Sequence, residues 1–402
     1  MKIYVFLLFV VSILNYICAS SSGFYVDNGK DQTVLDKSMS RKQKLNFEKT
    51  MLNILGVRRK PKRHIASSNL YSSGPQYLLD VYNSLEGSKR HTDFNLDKDL
   101  PSVIESDVIM TFPMKGNDVN NMRHEKGIRL LFDVSDVPVG DTIVGAELRL
   151  HKFGIDEIGN ITISVYQVLL DYNGERQLAN VNNVNVLYTY EGWLLFNITS
   201  PFTTWIAFPS MNEGLYISVH KHSNPGHEIH PETVGLVSSI YDDTEDRQPF
   251  VTAFFKYGSS SLKSKIRRIR DVRKRRQKTE SDVSYNFNPF LSESAWTLRS
   301  CQIQTLYVNF KDLNWQDWII APDGFASYYC GGVCDFPLNA HMNATNHAIV
   351  QTLVNLINPN EAPKSTCAPL TLGSMAVLYY LEDNSVILKK YKNMVVKSCG
   401  CH

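Results

Sequence analysis

Two short stretches decide how this 402-residue chain folds: Cys330-Gly331-Gly332-Val333-Cys334, and Cys399-Gly400-Cys401 one residue from the end. With Cys301 and Cys367 they make six cysteines in the last hundred or so residues. Six cysteines allow 15 pairings, so spacing alone does not fix connectivity. Geometry narrows it. A bridge between Cys399 and Cys401 closes a cramped loop, because a disulfide needs roughly 4.4–6.8 Å between Cα atoms. Bridges that cross between the two clusters instead close a ring, and Cys301 with Cys367 could thread it. Gly331, Gly332 and Gly400 would leave room inside such a ring. The pattern is that of a cystine knot. Zinc is the competing reading, but Cys-x3-Cys with Cys-x-Cys fits zinc-ribbon spacing poorly.

The other end of the chain says where these thiols would reside. Lys2 is a short positive region, Ile3 through Ile17 are almost wholly apolar, and Cys18-Ala19-Ser20 supply small residues for cleavage. The stretch is shorter than the roughly 20 residues of a spanning helix. Residues 1–20 therefore read as a signal peptide, with a soluble, secreted product, no membrane insertion, and disulfides as the expected state of the cysteines. Cys18 leaves with the signal, so the exported chain keeps an even set.

A formal net charge of +2 argues against nucleic acid as the main partner. The charge is unevenly spread, however. Residues 258–276 pass from Ser259-Ser260-Ser261 into Arg267-Arg268-Ile269-Arg270 and Arg273-Lys274-Arg275-Arg276, with few apolar residues between. A solvated basic run of this kind can touch polyanions such as heparan sulphate. It also meets the rule of subtilisin-like convertases, an Arg four residues before the cut and a basic pair at it. Exposed linkers are where nicking concentrates. Cleavage after Arg276 would divide the chain into residues 21–257, the linker, and residues 277–402.

The segment beyond the linker resembles the mature ligands of the transforming growth factor β superfamily, in the bone morphogenetic protein branch. The strings that carry the likeness are Leu306-Tyr307-Val308-Asn309-Phe310, Trp315-Gln316-Asp317-Trp318-Ile319-Ile320-Ala321-Pro322, the run from Asn343 to Val354, and Lys397-Ser398-Cys399-Gly400-Cys401-His402. They span Cys301 to the end and are most similar to the insect Glass bottom boat type and its vertebrate osteogenic relatives. The upstream half resembles the propeptide of that family more loosely, through Gly192-Trp193-Leu194-Leu195-Phe196-Asn197-Ile198-Thr199.

The resemblance implies a small disulfide-rich β domain, a cystine-knot growth factor with two β-ribbon fingers and one helix. An α+β propeptide precedes it, with a helical arm over about residues 34–90 and a β-rich arm domain over about 100–257. It implies a dimer, with itself or a related ligand, that engages type I and type II receptor kinases and activates Smad signalling. Its own propeptide and extracellular antagonists are further expected partners. The type I surface, or wrist, would use Trp315 and Trp318 of one subunit with Phe336, Pro337 and Leu338 of the other, as exposed aromatics that anchor a partner. The type II surface, or knuckle, would use Ala321, Ala376, Leu378 and Leu388 on a solvent-facing sheet. Relatives usually carry Cys-Cys where this chain has Thr366-Cys367, and the first of that pair links the subunits.

Local patterns place the elements. Phe47, Met51, Ile54 and Leu55 fall at helical spacing and Gly56 closes the run. Tyr77 through Tyr82 read as a second helix, and Thr142–Leu150, Leu215–Val219 and Phe250–Phe255 as strands. Roughly Gln302–Tyr329 and Ala368–Lys397 would be the fingers. Asn346 through Leu356 would be a helix with Ile349, Leu353 and Leu356 on one face. His220, His222, His227 and His230 cluster around Asn224-Pro225-Gly226 and read as a polar loop, with no helical pair to hold a metal. Asn160, Asn197 and Asn343 each open an Asn-x-Thr glycosylation triplet. Nucleophile-elbow, phosphate-loop and zinc-protease motifs are missing, so neither an enzyme nor a cofactor is expected. A secreted cystine-knot antagonist that binds growth factors is the alternative function.

Overall fold

The computed structural model describes residues 23–27, 33–38, 41–57, 60, 72–87, 94, 96–117, 126–137, 140–237, 245–257, 300–338, 340–381 and 385–402. The signal segment and the basic linker lie outside them. A short hairpin, β1 (Gly23–Asp27) and β2 (Thr33–Ser38), comes first. Helices α1 (Arg41–Leu55), α2 (Ser73–Leu85) and α3 (Leu96–Glu105) follow. Among the described residues nine strands then form the arm: β3 (Val108–Asn117), β4 (Ile128–Phe132), β5 (Thr142–Lys152), β6 (Asn160–Leu170), β7 (Arg176–Leu187), β8 (Gly192–Asn197), β9 (Leu215–Lys221), β10 (Asn224–Ile229) and β11 (Phe250–Lys256). Helix α4 (Thr199–Ala207) sits between β8 and β9.

Every pairing among these strands is antiparallel, and β3 belongs to two layers. Its first half pairs with β11, which pairs with β5 and then β8. Its second half turns away to β4, which leads to β9, β6 and β7. Alternation along the strands assigns the faces. Val108, Met110 and Phe112 of β3 enter the core between the layers, with Leu148, Phe196, Ile163, Ile217, Phe202 and Trp205. Ile109 points the other way, to a second cluster with Phe250, Phe254 and Trp193 beneath α2 and α3. Val108 through Phe112 are all buried because both faces of that strand are covered.

The expected helices and strands are present, with two differences. Ile54 is 46 % exposed while Met51 and Leu55 are buried, so α1 offers a narrower apolar face than its spacing suggested. Gly56 closes the helix at φ +72° as read, and the Phe47 side chain lies outside what is described. The histidine stretch is a hairpin rather than a loop. Asn224 pairs with Lys221 across a turn at His222–Ser223, and Ile229 pairs with Val219. The Glu228 carboxylate fastens it by accepting from the Tyr216 hydroxyl at 3.0 Å, a bond that a polar loop would not have needed.

The C-terminal domain is built on short ribbons. Strand β12 (Gln302–Gln304) pairs with β16 (Tyr329–Gly331), and β13 (Tyr307–Asn309) with β15 (Gly324–Ala326). Strand β14 (Ile319–Ala321) joins the long hairpin of β17 (Cys367–Tyr380) and β18 (Val386–Cys401). Helix α5 (Asn346–Ile357) lies between the ribbons, its N-terminus capped by the Thr345 side chain, which accepts from the Ala348 amide at 3.1 Å.

Candidate receptor-binding surfaces and their propeptide cover

Cysteine pairing is Cys301–Cys367, Cys330–Cys399 and Cys334–Cys401, with Cα separations of 5.3, 5.6 and 5.9 Å. The last two close the ring between the clusters. The sulfurs of Cys301, Cys334 and Cys401 lie within 4.8 Å of one another, the close stacking of bridges that are already formed. The glycines act somewhat differently from the simple removal of bulk. Gly332 takes φ +110°, which L side chains avoid. A Cβ on Gly400 would meet the Asn343 carbonyl oxygen at 2.6 Å, so that glycine admits a neighbouring backbone.

The knuckle positions come together but do not face solvent. Leu378, Leu388 and Ala321 are buried and Ala376 half-buried, in one cluster with Tyr77, Leu78 and Val81 of α2. Strand β18 also continues the arm sheet, because Val386, Ile387, Leu388 and Lys389 pair with Thr111, Met110, Ile109 and Val108 of β3. A sheet of propeptide and finger strands thus runs unbroken, and α2 lies across it in contact with β3, β11, β17 and β18. The expectation of an exposed knuckle is corrected for this precursor: a sheet with an apolar outer face buries it where an amphipathic helix is on hand.

Correction is also needed for the tryptophans. Trp315 and Trp318 are 0 % and 2 % exposed, so they are not open anchors in the precursor. Their rings lie tilted to one another with centres 5.2 Å apart, Trp315 stacks on Phe310 at 6.2 Å, and Trp318 meets Tyr379 edge-on at 5.6 Å. Met51 and Leu55 of α1 belong to the same buried cluster. The end of α1 is fastened to the second finger, where the Leu55 carbonyl accepts from the Tyr391 hydroxyl at 2.8 Å and from Lys389 Nζ at 3.3 Å. Lys60 donates to the Asn314 carbonyl just before Trp315. Burial lowers the pKa of Lys389 and raises those of Tyr379 and Tyr391, as a dry contact requires. Phe336 and Pro337 are exposed, and Leu338 packs against the knot, so one chain does not unite the two halves of the proposed wrist.

A polar anchor that sequence reasoning missed holds α2 in place. Arg149 of β5, fully buried, donates through Nη2 to Asp99 of α3 at 2.8 Å and to Glu147 at 2.7 Å. The Tyr77 hydroxyl donates to the same Asp99 oxygen at 2.9 Å, and the Arg149 guanidinium lies 4.1 Å from the Tyr77 ring centre. Burial raises the Tyr77 pKa, which keeps that donor protonated. Asp99→Ala should destabilise the precursor by about 3 kcal/mol, because it leaves a buried guanidinium short of its partner. Urea denaturation of the uncleaved precursor checks this, and an unchanged midpoint would show that the network is idle.

Of the three glycosylation triplets, all asparagines are exposed, but Asn343 Nδ2 also donates to the Cys399 carbonyl at 3.1 Å.

A knotted, two-fingered domain whose finger strands are packed against helices of its own N-terminal segment has the organisation of a growth-factor precursor. Comparison with known families agrees on both halves. The TGF-beta propeptide family matches residues 28–254, and the transforming growth factor beta like domain matches residues 300–401. Protein 60A of Drosophila virilis is 40% identical over 98% of this chain and 97% of its own length. Protein 60A of Drosophila melanogaster is 40% identical over 99% and 95%, and human Bone morphogenetic protein 8A is 32% identical over 91% and 92%. The chain belongs to the transforming growth factor β superfamily, in its bone morphogenetic protein branch.

Proposed function

We propose that this chain is exported, cut in the basic linker, and releases a mature dimer that binds type I and type II serine/threonine kinase receptors and activates Smad signalling. One observation carries the reading. The finger residues proposed to meet receptors are buried in two apolar clusters shared with the propeptide, Trp315 and Trp318 with Met51 and Leu55 of α1 and the arm core, and Leu378 and Leu388 with Tyr77, Leu78 and Val81 of α2. Surfaces that need covering before use are surfaces made for a partner. Export rests on the N-terminal pattern, and among the described residues no helix is long and apolar enough to cross a membrane.

Processing gives the first test. The C-terminal fragment from secreting cells should begin at Gln277, and it should raise phosphorylated receptor-regulated Smads in responsive cells. An uncleaved product, or a start far from the linker, removes the processing claim. A fragment that blocks another ligand without signalling would instead match the antagonist alternative. A cut after Arg270 alone would keep Arg273 to Arg276 on the ligand as a heparan sulphate handle.

Once α1 leaves, Trp318 would serve the wrist. In the mature ligand Trp318→Ala should cost about 2 kcal/mol or more in type I binding while type II binding barely changes. Surface plasmon resonance against both ectodomains decides it. Equal loss at both receptors would assign Trp318 to the finger's own packing.

A further inference from the structure

An open groove of about 790 Å³ runs along the propeptide between β7 and α4. Its walls include Val181 and Asn182 of β7, Thr203 and Phe208 at α4, and Asn197 at the end of β8. Phe208 is 60 % exposed, a large aromatic presented at the rim. Asn197 opens the triplet Asn197-Ile198-Thr199, and its Oδ1 accepts from the Thr199 amide at 3.0 Å and the Thr199 hydroxyl at 2.8 Å. That hydroxyl is itself fixed, since it accepts from the Ala146 amide at 3.0 Å. The carbonyl side of the Asn197 amide is therefore locked, and Nδ2 carries no hydrogen bond among the described residues.

We infer that this groove is a carbohydrate site, filled by the first N-acetylglucosamine units of a glycan attached to Asn197 itself. The inference rests on the export proposed above. In the attachment, Nδ2 loses one hydrogen as a proton and bonds to the anomeric carbon of a lipid-diphosphate-linked oligosaccharide, and the lipid diphosphate departs. Oδ1 is untouched by that step, so the contacts to Thr199 survive. A sugar ring presents an apolar face that suits Phe208 and Val181, and an N-acetyl group that suits the Asn182 amide. The Thr203 hydroxyl donates to the Thr199 carbonyl at 2.7 Å and keeps its oxygen free to accept. Apolar walls with a few placed polar groups are what small-molecule sites show. Individually weak sugar contacts suffice because the ligand is tethered to the wall, at an effective concentration on the order of millimolar. The other two acceptors differ: Asn160 begins a strand, and Asn343 spends its Nδ2 on the Cys399 carbonyl.

The test uses the full precursor secreted by animal cells, digested in its native state with an endoglycosidase and followed by glycopeptide mass spectrometry. The Asn160 glycan is the internal reference. The Asn197 glycan should be removed about tenfold more slowly, which corresponds to about 1.4 kcal/mol of contact with the groove. Phe208→Ala should abolish the difference, and so should Thr203→Arg, which fills the groove from an exposed position. Equal removal at both sites of the unmodified protein overturns the inference, as does an unoccupied Asn197 beside a glycosylated Asn160. If neither asparagine carries sugar, the export reading falls with it.

Discussion

Replacing Leu55 with Arg should open the wrist of the uncleaved precursor. Leu55 is 1 % exposed at the end of α1, and its carbonyl is held by Tyr391 and Lys389. An arginine there brings a second cation beside Lys389 into a dry contact, a class of change that costs on the order of 4 kcal/mol. The helix should leave the finger rather than accept that cost. The precursor carrying Leu55→Arg should then bind a type I receptor ectodomain about a thousandfold tighter than the unmodified precursor. Type II binding should stay blocked, because α2 and the β3–β18 pairing are untouched. Leu55→Met, of nearly equal volume, should behave as the parent. Continued exclusion of the type I receptor by the Leu55→Arg precursor would show that α1 is not the barrier. Release of both faces together would show that the two covers form one unit.

The mature ligand should run as a monomer on non-reducing denaturing gels and as a dimer under native conditions. Cys367, the neighbour of Thr366, is spent on Cys301, and all six cysteines of this domain are paired within the chain. Thr366 is exposed, with its backbone pinned to the C-terminus through His402 at 2.8 and 2.9 Å. The dimer must therefore rest on packing. Val350, Leu353, Leu356 and Ile357 of α5 are 59, 40, 59 and 85 % exposed, an apolar face left open by its own chain. A second copy's fingers are the proposed cover, in an obligate interface of roughly 2,000 Å² or more. Without a covalent link, the dimer population should fall with dilution by mass action. Thr366→Cys should convert it into a reduction-sensitive dimer with the same receptor choice, since the tether raises effective concentration without reshaping the contact. Sedimentation across a dilution series, with and without reductant, reads both effects. A reduction-sensitive dimer in the unmodified ligand would refute the reading and require a knot cysteine to pair between chains.

Much of the architecture was written locally. Two glycines within Cys330–Cys334 and one within Cys399–Cys401 announced the knot, because cysteine spacing and backbone freedom are properties of neighbours in sequence. The helix read from periodicity over Asn346 to Leu356 is found at Asn346–Ile357, and the short one read over Tyr77 to Tyr82 lies within the longer Ser73–Leu85. The environment of the candidate site did not. The family resemblance implied Trp315, Trp318, Leu378 and Leu388 as outward anchors, and neither a likeness nor the pattern of a single strand tells what lies over that face in the precursor. The faces are closed by segments about 260 to 310 positions upstream, from Leu55 to Trp315 and from Tyr77 to Leu388, and no local pattern encodes a contact at that distance. One signal was available. Val108 through Phe112, apolar except for Thr111, lacks a polar face, which marks a strand buried on both faces and hence one with neighbours on each.

Sequence alone thus determined the knot, the order of helices and fingers, the family likeness and the missing inter-chain cysteine at Thr366, all matters of residue identity and short-range spacing. Tertiary structure alone decided that the finger strand β18 pairs with propeptide strand β3, that α1 and α2 take opposite faces of one finger, and that Arg149 anchors the second of these. Those depend on which distant apolar surfaces meet, a choice made by burial across the whole fold and not by any stretch of the chain.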